Sequence, residues 1–184
     1  MKGSAWRLAV ADVTGEGENE LIYGAYYDAV RCQDLSSGKI IWEVSTNSFP
    51  FSIVARDVDH DGKPEVFAAA SDGGLYAIRS EGELIWTFRS KLPLYNVAIG
   101  DIQPCGNLEI ACGGIDRNVY VLSSEGKELA HSEVKKVVLR LAVRDMNNDG
   151  ADEVFVLDGA IYSDLFVEVW GFADSTHKCN YRPK

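Results

Sequence analysis

Asp57-Val58-Asp59-His60-Asp61-Gly62-Lys63-Pro64-Glu65 places four acidic side chains and one glycine within nine residues, between two apolar runs. The stretch recurs. Asp12, Asp57, Asp101 and Asp145 stand 45, 44 and 44 residues apart, and a glutamate follows each one eight residues later: Glu20, Glu65, Glu109 and Glu153. Glycine keeps a fixed offset too, at Gly17, Gly62, Gly106 and Gly150. A period of this length marks a repeat architecture, so the chain is read one repeat at a time.

Outward from the second loop, Ser52 to Val58 reads as the strand entering it and Pro64 to Ser71 as the strand leaving it. Pro64 suits a strand's first residue, where a missing N–H does little harm. Asp72-Gly73-Gly74 turns the chain into Leu75 to Ser80, and Glu81-Gly82 turns it into Glu83 to Phe88. Four short strands joined by Gly- and Asp-rich turns, without helical periodicity, make one antiparallel meander. The first unit follows the same plan, with strands over residues 6–13, 19–26, 29–35 and 39–44. The third runs over 96–102, 108–115, 118–124 and 127–134. The fourth supplies 138–146, 152–158 and 164–172, and the alternation stops after Phe172. Gly38, Gly82 and Gly126 recur 44 residues apart, with Trp42 and Trp86 at equal offsets and Ala130 in their place in the third unit.

Four-stranded units of this period are the signature of β-propeller blades. The expected fold is therefore all-β, with blades at about 6–44, 52–88, 96–134 and 138–172, the last incomplete, and a C-terminal tail over 173–184. A propeller escapes unpaired sheet edges by closing its ring. About three and three-quarter blades leave three ways to close: a segment of a larger propeller, two copies joined into an eight-blade ring, or a small four-blade ring. The reading favours the first.

At 184 residues, 46% hydrophobic and 25% charged, the chain can bury a sizeable core. No apolar run approaches the roughly 18 residues of a membrane span. The net charge of −10 disfavours nucleic acid and anionic membrane as partners. The four loops hold 14 of the 28 acidic residues, so the charge is concentrated where a cation could use it. Cys32, Cys105, Cys112 and Cys179 show no metal-finger spacing, and with histidines scattered at 60, 131 and 177 no zinc site is expected. The cysteines permit disulfides without requiring them and leave the redox compartment open.

Calcium takes six to eight oxygens, and a loop meets that demand when acidic or amide side chains at alternate positions converge. In the second loop Asp57, Asp59 and Asp61 fill positions 1, 3 and 5, the Lys63 carbonyl falls at position 7 and Glu65 at position 9. The fourth loop offers Asp145, Asn147, Asp149, the carbonyl of Ala151, and Glu153. Both begin like an EF-hand loop, D-x-[DN]-x-[DN]-G, but close at position 9 and lack flanking helices. The first loop has usable oxygens in Asp12, Thr14, Glu16 and Glu20. The third puts Gln103 and the soft sulfur of Cys105 in the middle and reads as metal-free. Without any metal, the first Asp could cap turn N–H groups and the Glu could bond neighbouring backbone.

Ile53 to Val66 resembles the FG-GAP (integrin α-like, VCBS-like) propeller repeat with its D-x-D-x-D-G calcium loop. Gly74-Leu75-Tyr76-Ala77-Ile78 and Gly82-Glu83-Leu84-Ile85-Trp86 look like the pyrroloquinoline-quinone-type repeat instead. The resemblance implies a calcium-stiffened propeller in an extracellular, periplasmic or cell-surface protein, serving adhesion, protein binding or glycan recognition. It also implies an enzymatic alternative, because some polysaccharide lyases are built on such blades. The residues themselves show no catalytic triad motif, phosphate loop or histidine pair, so a non-catalytic binding or scaffold module with an unidentified protein or glycan ligand leads. For a lyase, Arg56 and Arg144 would face the substrate; otherwise they would pair with the loop acids. Trp42, Trp86 and Trp170 are expected between blades, and His131 at the surface or between blades.

Overall fold

A computed structural model of the chain describes residues 7–25, 28–104, 106–159 and 166–170. It is all-β, with four antiparallel meanders following one another as the blades of a partial propeller. Blade 1 is β1 (Leu8–Ala11), β2 (Glu20–Ala25), β3 (Ala29–Asp34) and β4 (Ile40–Ser45). Blade 2 is β5 (Pro50–Arg56), β6 (Glu65–Ala70), β7 (Gly74–Ile78) and β8 (Leu84–Arg89). Blade 3 is β9 (Leu94–Gly100), β10 (Glu109–Gly114), β11 (Asn118–Leu122) and β12 (Glu128–Glu133). Blade 4 has β13 (Val137–Arg144), β14 (Glu153–Gly159) and β15 (Phe166–Trp170) among the described residues. Pro64 falls one residue before its strand instead of opening it, which leaves β6 a full row of N–H donors. The tail over 173–184, and with it Cys179 and His177, lies outside the described residues.

Each blade pairs its strands in sequence order, and the third and fourth strands shift register at the same point in three blades: Cys32/Gln33, Ala77/Ile78 and Val121/Leu122. The first strands β1, β5, β9 and β13 lie against one another in succession. The core is therefore divided into three layers between blades. Strands alternate side chains between faces, and each inner blade is apolar on both. Ile22, Val30, Cys32 and Trp42 of blade 1 meet Ile53, Val66, Ala68 and Tyr76 of blade 2. Phe67, Ala69, Leu75 and Ala77 meet Val97, Ile110, Cys112 and Tyr120. Ala111, Val119 and Val121 meet Val138, Val154 and Val156. Strands with both faces covered read as unbroken apolar runs, which is why β6 and β10 are buried along their whole length.

The recurrent tryptophans fasten each blade to the next. Trp42 donates its indole N–H to the Ser80 carbonyl (2.8 Å), and Trp86 does the same to Ser124 (2.9 Å). Gly82 sits under the Trp42 ring, where an added Cβ would stand 2.6 Å from Cγ, and Gly126 sits likewise under Trp86. Close approach and positive φ (87° at Gly82) both require glycine at this turn. Cys32 and Cys112 are free and buried in separate layers, so they form no disulfide with each other. A second repeated pair was not singled out from sequence. The Tyr76 hydroxyl donates to Asp72 and the Tyr120 hydroxyl to Asp116, both at 2.6 Å, at the blade end opposite the acidic loops.

Candidate metal-binding loops

Each acidic loop joins the first strand of a blade to its second, so all four line one rim. Neighbouring loops touch. Lys63 packs against Gly15, His60 Nε2 lies 3.3 Å from the Gly106 carbonyl, and the Asp152 N–H donates to the Asp101 carbonyl at 2.7 Å.

A common frame holds all four. Oδ2 of the first aspartate accepts the N–H of the loop glycine: Asp12 from Gly17, Asp57 from Gly62, Asp101 from Gly106 and Asp145 from Gly150, at 2.8 to 3.1 Å. Oε2 of the buried glutamate accepts the N–H one residue after that aspartate: Glu20 from Val13, Glu65 from Val58, Glu109 from Ile102 and Glu153 from Met146, at 2.8 to 3.1 Å. The glycines adopt φ of 75–90°, the left-handed region that the sharp turn needs. Aspartate, glycine and glutamate thus serve the turn in every copy, including the third, which has no acids between them.

The centres of the loops differ. In loop 4, Asn147 donates its amide to Asp149 (3.0 Å) and to Oε1 of Glu153 (2.8 Å), so an N–H group stands where a cation would neutralise those carboxylates. Both Asp145 oxygens are also engaged, Oδ1 by the Asn148 N–H at 2.6 Å. In loop 1 the Thr14 hydroxyl reaches Oε1 of Glu20 at 3.4 Å, and Oδ1 of Asp12 accepts from Gly15 at 2.8 Å.

Loop 2 has only acceptor side chains at its centre, where Asp59 Oδ1 takes the Asp61 N–H (3.2 Å) and Asp61 Oδ1 the Lys63 N–H (2.8 Å). Asp57, Asp59 and Asp61 each aim an oxygen into one group whose atoms all lie within 4.8 Å of one another. Oδ1 of Asp57 is buried and has no hydrogen-bond partner. A buried oxygen without a donor is a substantial penalty, and here it belongs to an aspartate grouped with two more carboxylates. Burial, together with Asp59 and Asp61, pushes Glu65 above the usual carboxylate range despite the Val58 N–H. Burial pushes Glu109, in the loop without middle acids, up to about 7.

The fourth loop position separates the copies further and was not used in the sequence reading. His60 and Asn148 there take φ of 62° and Gly15 takes 74°. Loop 3 has Pro104, whose ring fixes φ near −65°, so it cannot follow the same path. The expected pairing of Arg56 and Arg144 with loop acids is not formed among the described residues, where both are exposed. His131 lies at the surface, 2.7 Å from Glu128. The side chain of Trp170 and all of Cys105 lie outside the described residues.

Solved structures confirm the architecture. BBS1N in complex with ARL6DN superposes with a TM-score of 0.65 in its lead-soaked crystal (12% identity, 85% of this chain, 46% of that chain). The mercury-soaked crystal gives 0.64 (16% identity, 90% and 50%). BamB from Moraxella catarrhalis gives 0.59 (20% identity, 90% and 42%). The chain spans half or less of each, and at these identities the likeness is one of fold. No curated protein matches it in sequence. The model of the lambda-carrageenase β-propeller domain matches residues 36–138, more than half the chain and the whole of blades 2 and 3. The chain belongs to the lambda-carrageenase β-propeller domain family.

Proposed function

We propose that this chain is a non-catalytic propeller module, braced by calcium at loop 2, that recognises a protein or a glycan outside the cytoplasm. The observation that carries the reading is the centre of loop 2, where the side chains of Asp57, Asp59 and Asp61 gather as acceptors and Oδ1 of Asp57 lies buried without a donor. A hard cation is the ligand that such an all-oxygen set fits. Asp57, Asp59, Asp61 and Glu65 would supply carboxylates, and the Lys63 carbonyl fits position 7. Calcium there would hold two strands of a blade together and neutralise the cluster. Loop 4 joins only when Asn147 turns its amide oxygen inward, leaving Asp145, Asp149, the Ala151 carbonyl and Glu153 as the remaining set. Asp59 and Asp61 are exposed, and open sites of this kind bind calcium weakly and fill at extracellular concentrations. That supports an extracellular, periplasmic or cell-surface setting, and it keeps the FG-GAP likeness as the best account of loop 2.

The binding-module reading is supported by what the repeated acids do. Eight of them hold backbone N–H groups of their own loops, which leaves them poorly placed for proton transfer to a substrate. An enzymatic reading draws on the family, named for a domain of a carrageenase, and on the exposed guanidinium groups of Arg56 and Arg144. One pair of experiments decides between them. Calcium raises the melting temperature of the EDTA-treated protein, and carrageenans and other acidic polysaccharides incubated with it keep their chain length. Calcium-dependent cleavage overturns the non-catalytic reading, and a melting curve indifferent to calcium removes the metal.

A further inference from the structure

The first strands of three successive blades carry the same irregularity at one repeat position. Pro50 pairs with Ala70 and Ser52 with Ala69, which leaves Phe51 as an extra residue in β5. Tyr95 is left over between Leu94 and Asn96 in β9, and Leu139 between Val138 and Arg140 in β13. A one-residue bulge bends its strand and re-aims a side chain. Two of these bulges are pinned from the preceding blade, where Arg7 donates to the Phe51 carbonyl (2.7 Å) and Asn96 to the Leu139 carbonyl (2.6 Å). All three positions hold a bulky residue, yet each stays half-buried and outside the three layers between blades. Core packing does not account for them.

The re-aimed rings form a cluster. Tyr95 stands edge-on to Phe51, with centroids 5.1 Å apart and planes at 86°, and Phe49 stacks 6.4 Å from Phe51. The acidic loops follow the far ends of these strands, so the cluster lies at the opposite end of the molecule. First strands that pack in succession surround the central channel of a closed ring. Phe51 and Tyr95 belong to blades 2 and 3, which have a neighbour on each side, so neither ring is exposed for want of an adjacent blade. Charge is divided along the same axis. The loops at one end hold 14 of the 28 acidic residues, while Arg7 and Arg140 expose guanidinium groups beside the cluster at the other.

From this arrangement we propose that the cluster binds a chain of uronate sugars. A pyranose lies with its C–H face on the Phe51 and Tyr95 rings, and its carboxylates reach Arg7 and Arg140. The faces of aromatic rings are electronegative, and the C–H bonds of a pyranose present the matching positive surface. A guanidinium fork donates two parallel N–H bonds to a planar carboxylate. An anionic chain is repelled by the acidic rim, and this end of a molecule of net charge −10 is where guanidinium groups meet it. Equivalent residues on successive blades suit a ligand that is itself a repeating chain. The proposal rests on the glycan reading given above and adds to it a place and a class of sugar.

Titration calorimetry of the full chain with a galacturonate hexamer, in EDTA and in calcium, tests this, with cellohexaose as the neutral control. The galacturonate hexamer binds in both buffers, and cellohexaose binds about tenfold more weakly, as loss of charge-assisted hydrogen bonds requires. Tyr95→Ala lowers affinity for the galacturonate hexamer about tenfold, and Tyr95→Phe, which keeps the ring, does not. Arg140→Gln changes an exposed side chain and lowers affinity for the galacturonate hexamer alone, which keeps the proposal testable should Tyr95→Ala fail to fold. A galacturonate hexamer that does not bind overturns the proposal, as it would if a protein segment occupied the rings. Equal affinity for cellohexaose, or binding indifferent to both Tyr95→Ala and Arg140→Gln, overturns it too. None of these results bears on calcium at loop 2, which the melting temperatures of the same samples report separately.

Discussion

Exchanging the third residue of loops 2 and 4 tests the reasoning about their centres directly. Asp59→Asn gives loop 2 the amide by which Asn147 satisfies loop 4, and Asn147→Asp does the reverse. In loop 2 the three carboxylate oxygens lie within 4.8 Å of one another. Charges at that separation repel by about 1 kcal/mol per pair in water-like surroundings, and salt and the exposure of Asp59 and Asp61 reduce this. Asp59→Asn removes two of the three pairs and introduces a donor, so the calcium-free protein gains about 1–2 kcal/mol at low salt, or roughly 2–8 °C in Tm for a chain of this size. Calcium at a hundred times its dissociation constant adds about 2.7 kcal/mol to the parent protein and little to the variant. Asn147→Asp loses its bonds to Asp149 and Glu153, melts lower in EDTA, and gains a second calcium-dependent increment. Differential scanning calorimetry with and without EDTA, supported by calcium titration calorimetry, reads all three proteins. If Asp59→Asn melts lower than the parent in EDTA while keeping the full calcium response, the acceptor-only account of loop 2 is wrong.

Two further perturbations follow from the same geometry. Glu109 titrates near 7 when folded and near 4.5 when unfolded, so the folded state holds the extra proton between these values. Its contribution is most favourable below about 4.5 and is lost as pH rises through 7, by at most about 3 kcal/mol. Glu109→Gln keeps an acceptor for Ile102 and Gln103, and urea unfolding should show its stability flatter than the parent's from pH 5 to 8; parallel profiles would sink the assignment. Gly62→Ala forces φ of 90° on a residue with a Cβ in open space, at about 1–2 kcal/mol. Gly82→Ala adds contact with Trp42 to the same strain and should cost clearly more. Equal losses in urea unfolding would show that Trp42 does not depend on that turn.

The propeller was legible because its signal is written four times. Asp, Gly and Glu at fixed offsets recur whatever lies between them, and the apolar runs beside them are the strands that the layers bury. The tryptophan offset was legible as a recurrence, but its cause was not. Only in three dimensions does the Trp42 ring lie over Gly82, a contact 40 residues distant in sequence. Exposure was equally hidden, since Val167 and Val169, 69% and 54% exposed, read as apolar strand residues no different from the buried Leu75 and Val119. Pro104 is the opposite case. Its fixed φ stood in the sequence as a reason for loop 3 to take another path, and the spacing argument passed over it.

The loops show why acid spacing alone misjudges metal sites. A pattern that scores Asp at position 1, Gly at 6 and Glu at 9 scores the residues that close the turn, and these do the same work in all four copies. Metal demand resides in positions 3 and 5, and it depends on whether those side chains can donate a hydrogen. Thr14 and Asn147 can, and each turns that ability toward the glutamate of its own loop. Asp59 cannot, and Oδ1 of Asp57 is left buried without a donor. Loops 2 and 4 differ at position 3 by one carboxylate against one amide, which looks conservative on a ligand list because both offer oxygen. In a site crowded with carboxylates the decisive property is the N–H group, and on the proposed reading it makes loop 4 largely self-sufficient where loop 2 would take a cation.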